Sequence, residues 1–217
     1  MNKLIFAFIL VAFSSCSSDK LTKLSINCGC RVSEHFVTST DEEENNTKEF
    51  SFTNSRIFDF GVSKESFALS SAIIIKNDFD IDSTSLIKIS LVNENGNYKK
   101  TKSYTYTQEK IEKLSSKYFE IEALINDFVE NIYKNKYREC QKLTNIEIEK
   151  KEFDSIMNKV IKGLEKGYID TRIVGYSVEN SEYSINGGVW TENEILDLFR
   201  MNLKETDNGL KIIAFDF

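Results

Sequence analysis

The groups in this chain that can do chemistry are four cysteines, one histidine and a few ionisable residues in strand-like stretches. Cys28-Gly29-Cys30, with His35 five positions on, offers three metal-ligand types. Zinc sites usually space such ligands by two to four residues and require a fourth, and none is evident. A redox dithiol of the Cys-x-x-Cys kind has two intervening residues, and here there is one. A disulfide, either within this pair or from one of its members to Cys140, is open in an exported chain. Unpaired, inert thiols are the other reading. No nucleophile elbow, phosphate-cradling glycine loop or His-Glu-x-x-His motif occurs. No catalytic residue, metal or cofactor is expected on these grounds, and the expected role is non-enzymatic.

Cys16 has different surroundings. Lys3 gives a positive start, residues 4–13 are an unbroken apolar run, and Ser14 and Ser15 are small. The run is about half the roughly 20 residues a spanning helix needs. A positive start, a short apolar centre and small residues at the exit form the export pattern. For a cut before Cys16, Ser15 suits plain secretion but bulky Phe13 does not. Phe13-Ser14-Ser15-Cys16 resembles the bacterial lipobox, with Phe13 where Leu is commoner. That resemblance implies a bacterial lipoprotein: residues 1–15 are removed and the Cys16 thiol carries ester-linked fatty chains. Several chains hold far more firmly than one, since each buried CH₂ adds about 0.8 kcal/mol. Ser17 after the cysteine resembles cargo passed to the outer membrane of two-membrane bacteria. The expected location is therefore the cell envelope, at the outer membrane, with the folded part in the periplasm or at the cell surface.

Composition narrows the partners. The chain has 217 residues and a formal net charge of −6. An acidic surface argues against nucleic acid, whose phosphates need a basic face. It argues equally against charge-driven binding to anionic lipid and leaves membrane attachment to the anchor. A chain of this length can bury roughly 70% of its unfolded surface, so it needs no metal or disulfide to fold. Proline is absent, so Gly, Asn, Asp and Ser must make the turns.

The elements that would position these groups follow from periodicity. Residues 16–23 read as a lipidated tether and 24–37 as a strand around the Cys28–Cys30 pair. Residues 38–48 read as an acidic solvated loop, centred on Asp41 and Glu42 to Glu44. Phe50, Phe52, Ile57, Phe58 and Phe60 suggest strand before Gly61. Residues 63–79 read as a helix capped by Ser63, with Ala68, Ala72, Ile75 and Phe79 on one face, while the β-branched run Ile73-Ile74-Ile75 leaves a strand as the alternative. Strands follow at 86–92 and 98–107, joined by the Asn95-Gly96 hairpin signal. Ile111, Leu114, Tyr118, Ile121, Ile125, Phe128 and Ile132 step by three and four along a long amphipathic helix. After an irregular link at 136–140, a second helix spans 149–164. Strands are predicted at 173–178, 196–204 and 210–217, with turns at Asn186-Gly187-Gly188 and Asp207-Asn208-Gly209. The last strand, apolar on both faces, is expected inside a sheet or under a helix.

A long helix, an irregular link, a second helix and then antiparallel strands resemble the NTF2-like (cystatin-like) α+β fold over residues 109–217. The closing hairpin around Asp207-Asn208-Gly209 resembles that of many small secreted members. The expected architecture is α+β: a signal at 1–15, a tether at 16–23 and a small N-terminal α+β unit at 24–108. An NTF2-like cone of helices on a curved antiparallel sheet completes it. The resemblance implies a pocket, with Tyr176, Asp197, Arg200 and Asp216 as residues able to face it. That fold serves enzymes, binders and scaffolds alike, so it does not give function. The leading expectation is an anchored lipoprotein that binds a protein partner or small ligand. The alternative is a small-molecule hydrolase or isomerase using the pocket.

Overall fold

The structure is a computed structural model that describes residues 15–36, 46–96, 98–193 and 196–217. The apolar leader and the acidic stretch Asp41 to Glu44 lie outside the described residues. The fold is α+β, with two four-stranded sheets and five α-helices among the described residues.

Helix α1 (Ser15–Cys28) opens the described chain. The tether expected at 16–23 is thus corrected to helix. Leu21, Leu24 and Cys28 recur at its period and pack into the core, which a solvated tether could not do. Strand begins only after the cysteine pair, as β1 (Arg31–Phe36). It pairs antiparallel with β2 (Thr47–Thr53). The strand expected up to Gly61 ends early. Residues Arg56–Phe60 form a 3-10 turn instead, capped by the Ser55 hydroxyl and closed by Gly61 at φ 82°. Helix α2 (Lys64–Asp78) follows, with the Ser63 hydroxyl accepting the Ser66 N–H at 3.0 Å. Strand β3 (Leu86–Asn95) pairs parallel with β2, a connection that requires a crossover such as α2. Strand β4 (Tyr98–Tyr106) returns antiparallel as the edge of a sheet ordered β1-β2-β3-β4.

The second half begins with α3 (Gln108–Tyr133), whose predicted stripe is buried at Ile111, Tyr118, Ile121, Ile125, Phe128 and Ile132. The link expected to be irregular contains a short helix, α4 (Tyr137–Lys142), and α5 (Lys150–Gly163) follows. Strands β5 (Tyr168–Glu179), β6 (Glu182–Thr191), β7 (Leu196–Thr206) and β8 (Gly209–Asp216) form an antiparallel sheet in chain order. Among the described residues no helix is long and apolar enough to cross a membrane.

One expectation fails in this sheet for a physical reason. Asn186-Gly187-Gly188 is not a turn, because β6 runs straight through it. The chain reverses at Asn180 and Ser181, both at positive φ. The glycines serve packing instead. A Cβ on Gly187 would lie 2.1 Å from the Phe199 ring, and one on Gly188 would lie 2.4 Å from Leu196. The twice-apolar β8 takes the second of its two expected places: it is an edge strand, and it lies under α3, with Phe128 5.2 Å from Phe215. Its edge is covered by the chain after α4: Ile212 N–H donates to Leu143 O at 3.0 Å, and Asn145 N–H donates to Ile212 O at 2.8 Å.

Helix α2 joins the halves. Ala68, Ala72, Ile73 and Ile75 on it are fully buried, and Phe67 meets Phe52 and Phe58 edge-on at 5.1 and 5.4 Å. On the other side α2 approaches β5 where Gly175 leaves room, its missing Cβ position being 3.0 Å from both Val62 and Ser66. One buried cluster spans both sheets.

Two outcomes follow. Gly187→Ala should destabilise the protein by about 1–3 kcal/mol, the usual cost of overpacking, because Phe199 is only 2% exposed and has no room to swing; urea unfolding measures this. Glu122 on α3 has its carboxyl pushed up, first by burial and then by Asp170 and Asp78, with Lys23 opposing. Its folded value lies above its unfolded one, so its ionisation costs stability progressively as pH rises from about 4.5. Glu122→Gln should therefore raise the unfolding midpoint at neutral pH. The gain should vanish below the ordinary carboxylate range.

Candidate functional site

The cysteine cluster resolves into a clasp. Cys28 and Cys30 are joined by a disulfide, with Cα atoms 5.1 Å apart and Gly29 between them at φ 53°. Cys28 is the last residue of α1 and is buried. Cys28 sits at the negative end of that helix, which disfavours a thiolate there. The Ser25 hydroxyl donates to Cys30 O and the Ser55 hydroxyl to Cys28 O, the latter at 2.7 Å. His35 is exposed on β1, with its ring Nε2 3.0 Å from the Ser33 hydroxyl. With the two sulfurs bonded to each other, the Cys28, Cys30 and His35 set has no free thiolate to give a metal. Cys140 is free, buried on α4, and burial pushes its thiol up to about 12.

The four residues expected to share a pocket are dispersed. Tyr176 is wholly buried in the core, its ring 5.5 Å from that of Tyr118 and its hydroxyl pushed up to about 12 by burial. Asp197 accepts the Glu165 N–H at 2.8 Å and so fastens the chain after α5. Arg200 and Asp216 do meet, directly opposite in the β7–β8 register. They sit on the face of the sheet away from Tyr176 and line a cleft of about 330 Å³ with Phe60, Leu198 and Phe217. Arg200 donates through Nη2 to Phe60 O at 2.9 Å, which binds the 3-10 turn to β7. The face that would bound a cone pocket is packed instead. Tyr176, Ile185, Met201 and Leu203 from the sheet are buried there, with Tyr118 against Tyr176 and Phe128 against Phe215 at 5.2 Å.

A different concavity lies at the turn end of the β3–β4 hairpin. It holds about 580 Å³ and has Phe58 and Leu91 in its lining. Four cations surround it: Arg56 from the 3-10 turn, Lys64 at the start of α2, and Lys100 and Lys102 on β4. Two carboxylates are present, Asp59 and Glu94. Glu94 is already bridged by Arg31 at 3.3 Å and Lys99 at 3.2 Å. Lys102 reaches Glu65 at 3.2 Å and lies over the Tyr104 ring at 5.0 Å; its contacts with Tyr104 and Glu65 hold its pKa above the usual lysine range. Lys64 lies over the Phe58 ring at 5.7 Å. A neighbouring trough of about 810 Å³ shares Asn54, Arg56 and Glu94 with this groove and runs past Arg31 to Gly29 and Cys30. Sequence reading missed this site. The signal present was Lys99-Lys100-Thr101-Lys102 on a predicted strand, but Arg56 and Lys64 join it only through the β2-α2-β3 crossover.

No protein-family model and no curated protein matches the chain. Solved structures give distant likenesses. One is a crystal structure named for a candidate NTF2-like transpeptidase from Campylobacter jejuni: 14% identity, 43% of this chain, 96% of that one, TM-score 0.36. A SEC-C motif containing protein from Rhodopseudomonas palustris shares 9% identity over 43% of this chain and 75% of its own, TM-score 0.31. A DUF4783 family protein from Bacteroides ovatus shares 14% over 41% and 88%, TM-score 0.30. At these values the likenesses carry no argument about what this chain does.

The Cys140 thiol should resist a maleimide reagent at neutral pH in the native protein and react only on unfolding. Peptide mass spectrometry before and after denaturation checks this.

Proposed function

We propose that the protein is a lipoprotein of the bacterial cell envelope, held at the outer membrane through Cys16, which binds a protein partner or small ligand without catalysis. The support for the anchor is the sequence Phe13-Ser14-Ser15-Cys16 behind a short apolar run. Helix α1 continues directly from that point into the core through Leu21, Leu24 and Cys28, so a lipid at its start would be rigidly coupled to the folded body.

The single observation behind the non-enzymatic part is the filled face of the C-terminal sheet. Side chains occupy the position of a cone pocket, and of the four ionisable candidates Tyr176 is sealed and Asp197 and Arg200 are engaged in holding backbone, which leaves Asp216. General acid–base chemistry needs a proton-transfer group within hydrogen-bond reach of a substrate site. The alternative, a small-molecule hydrolase or isomerase, keeps one observation in its favour, the opposed Arg200 and Asp216 over the 330 Å³ cleft.

The protein extracted from membranes of its native host should begin at Cys16, and its N-terminal peptide should carry the mass of fatty acyl chains. Mass spectrometry reads both. A peptide that begins at Met1, or an unmodified Cys16, overturns the anchor.

A further inference from the structure

We infer that the trough from Gly29 to Lys102 is a docking site for an extended, acidic polypeptide segment of a partner protein, with an apolar side chain of that segment seated against Phe58 and Leu91. This deepens the binding part of the proposed function and stands whether or not Cys16 carries lipid.

The first argument is charge against background. The chain is acidic overall, at −6, yet four cations and two carboxylates line the groove. Glu94 already lies between Arg31 and Lys99, and Lys102 shares Glu65. Arg56, Lys64 and Lys100 take no carboxylate within ion-pair distance among the described residues. A positive concavity in a negative molecule selects and steers an anionic partner.

The second argument separates recognition from edge protection. Lysines on an exposed edge strand discourage unwanted strand pairing, and Lys99, Lys100 and Lys102 on β4 fit that role. Arg56 and Lys64 do not, since they lie on a 3-10 turn and a helix start and still converge on the same space. Edge protection gives no reason for that convergence.

The third argument is shape. The two concavities of about 580 and 810 Å³ adjoin at Asn54, Arg56 and Glu94 at the end of the first sheet. A compact anion fills only a fraction of that space, whereas an extended chain can run from one to the other. Phe58, Leu91 and Val92 among the charged and polar lining fit the usual division of labour in peptide grooves, where apolar contacts give affinity and the charges give register and selectivity. The trough also starts at the C-terminal end of α1, roughly 18 Å along the helix from Cys16 at 1.5 Å per residue. An anchor there leaves that end of the helix clear of the attachment point.

The test uses the intact protein in detergent and a fluorescein-labelled peptide that alternates Glu with Leu, with its Lys–Leu counterpart and inorganic polyphosphate as comparison ligands. Fluorescence anisotropy should show saturable, salt-sensitive binding of the acidic peptide and none of the basic one. The Arg56→Glu/Lys100→Glu double variant should lose roughly tenfold or more in affinity, while Lys151→Glu, at an exposed position of α5, should bind as wild type. Circular dichroism shows that each variant is folded. Polyphosphate should compete weakly. Equal binding of acidic and basic peptides, wild-type affinity in the double variant, or competition by polyphosphate as strong as by the peptide each overturns the inference. None of these outcomes bears on the acyl mass at Cys16, so failure here is distinguishable from failure of the anchor.

Discussion

The structure depends on the burial of α2 between two sheets. Its N-terminal turn, its small residues Ala68 and Ala72, and its β-branched run Ile73, Ile74 and Ile75 serve different neighbours. Phe67 answers the first sheet, and the Val62–Ser66 turn answers β5 through the gap at Gly175. At its centre the Ser70 hydroxyl lies 3.1 Å from the Tyr118 hydroxyl of α3 and 3.4 Å from Ile173 O of β5. Three elements thus meet at one serine in a fully buried place, where an unpaired polar group would cost more than the bond itself yields. At its far end α2 exposes terminal carbonyls, and Lys20 of α1 donates to one of them, at Asp78. The two halves of the chain cannot pack independently of this helix.

Much of that was legible and some of it was not, for identifiable reasons. The α3 stripe was readable because one helix face is buried along its whole length, so the apolar period is uninterrupted. The Asn95-Gly96 hairpin and the Ser63 cap were readable because their chemistry is local. The second reversal was misplaced because Gly187-Gly188 looks like turn chemistry, while the true turn uses Asn180 and Ser181. Glycine marks a need for space as well as a need for positive φ, and at Gly187 the need comes from Phe199, twelve residues later. The edge position of β8 was unreadable because backbone from 143–145, not a neighbouring strand, takes up its open hydrogen-bonding edge. Residues 16–23 are polar enough to pass for a linker, and only Leu21, in phase with Leu24 and Cys28, betrays the helix.

The expected site residues illustrate the same limit. Tyr176, Asp197, Arg200 and Asp216 alternate plausibly along strands, but alternation only assigns a face. Whether a face is open depends on what lies across from it, here α3 on one side and the 3-10 turn on the other. The cationic groove was hidden for the converse reason. Its charges come from three elements, and only the parallel crossover between β2 and β3 brings the turn and the helix start beside β4. Composition pointed to an acidic chain, and a place where the sign reverses is visible only in three dimensions.

The Cys28–Cys30 clasp has a mechanical meaning. Any tension applied at the amino end of α1 travels down that helix and arrives at a covalent loop that also begins β1. Leu21, Leu24 and the clasp lie in series along the path, so the load is shared in shear across the core.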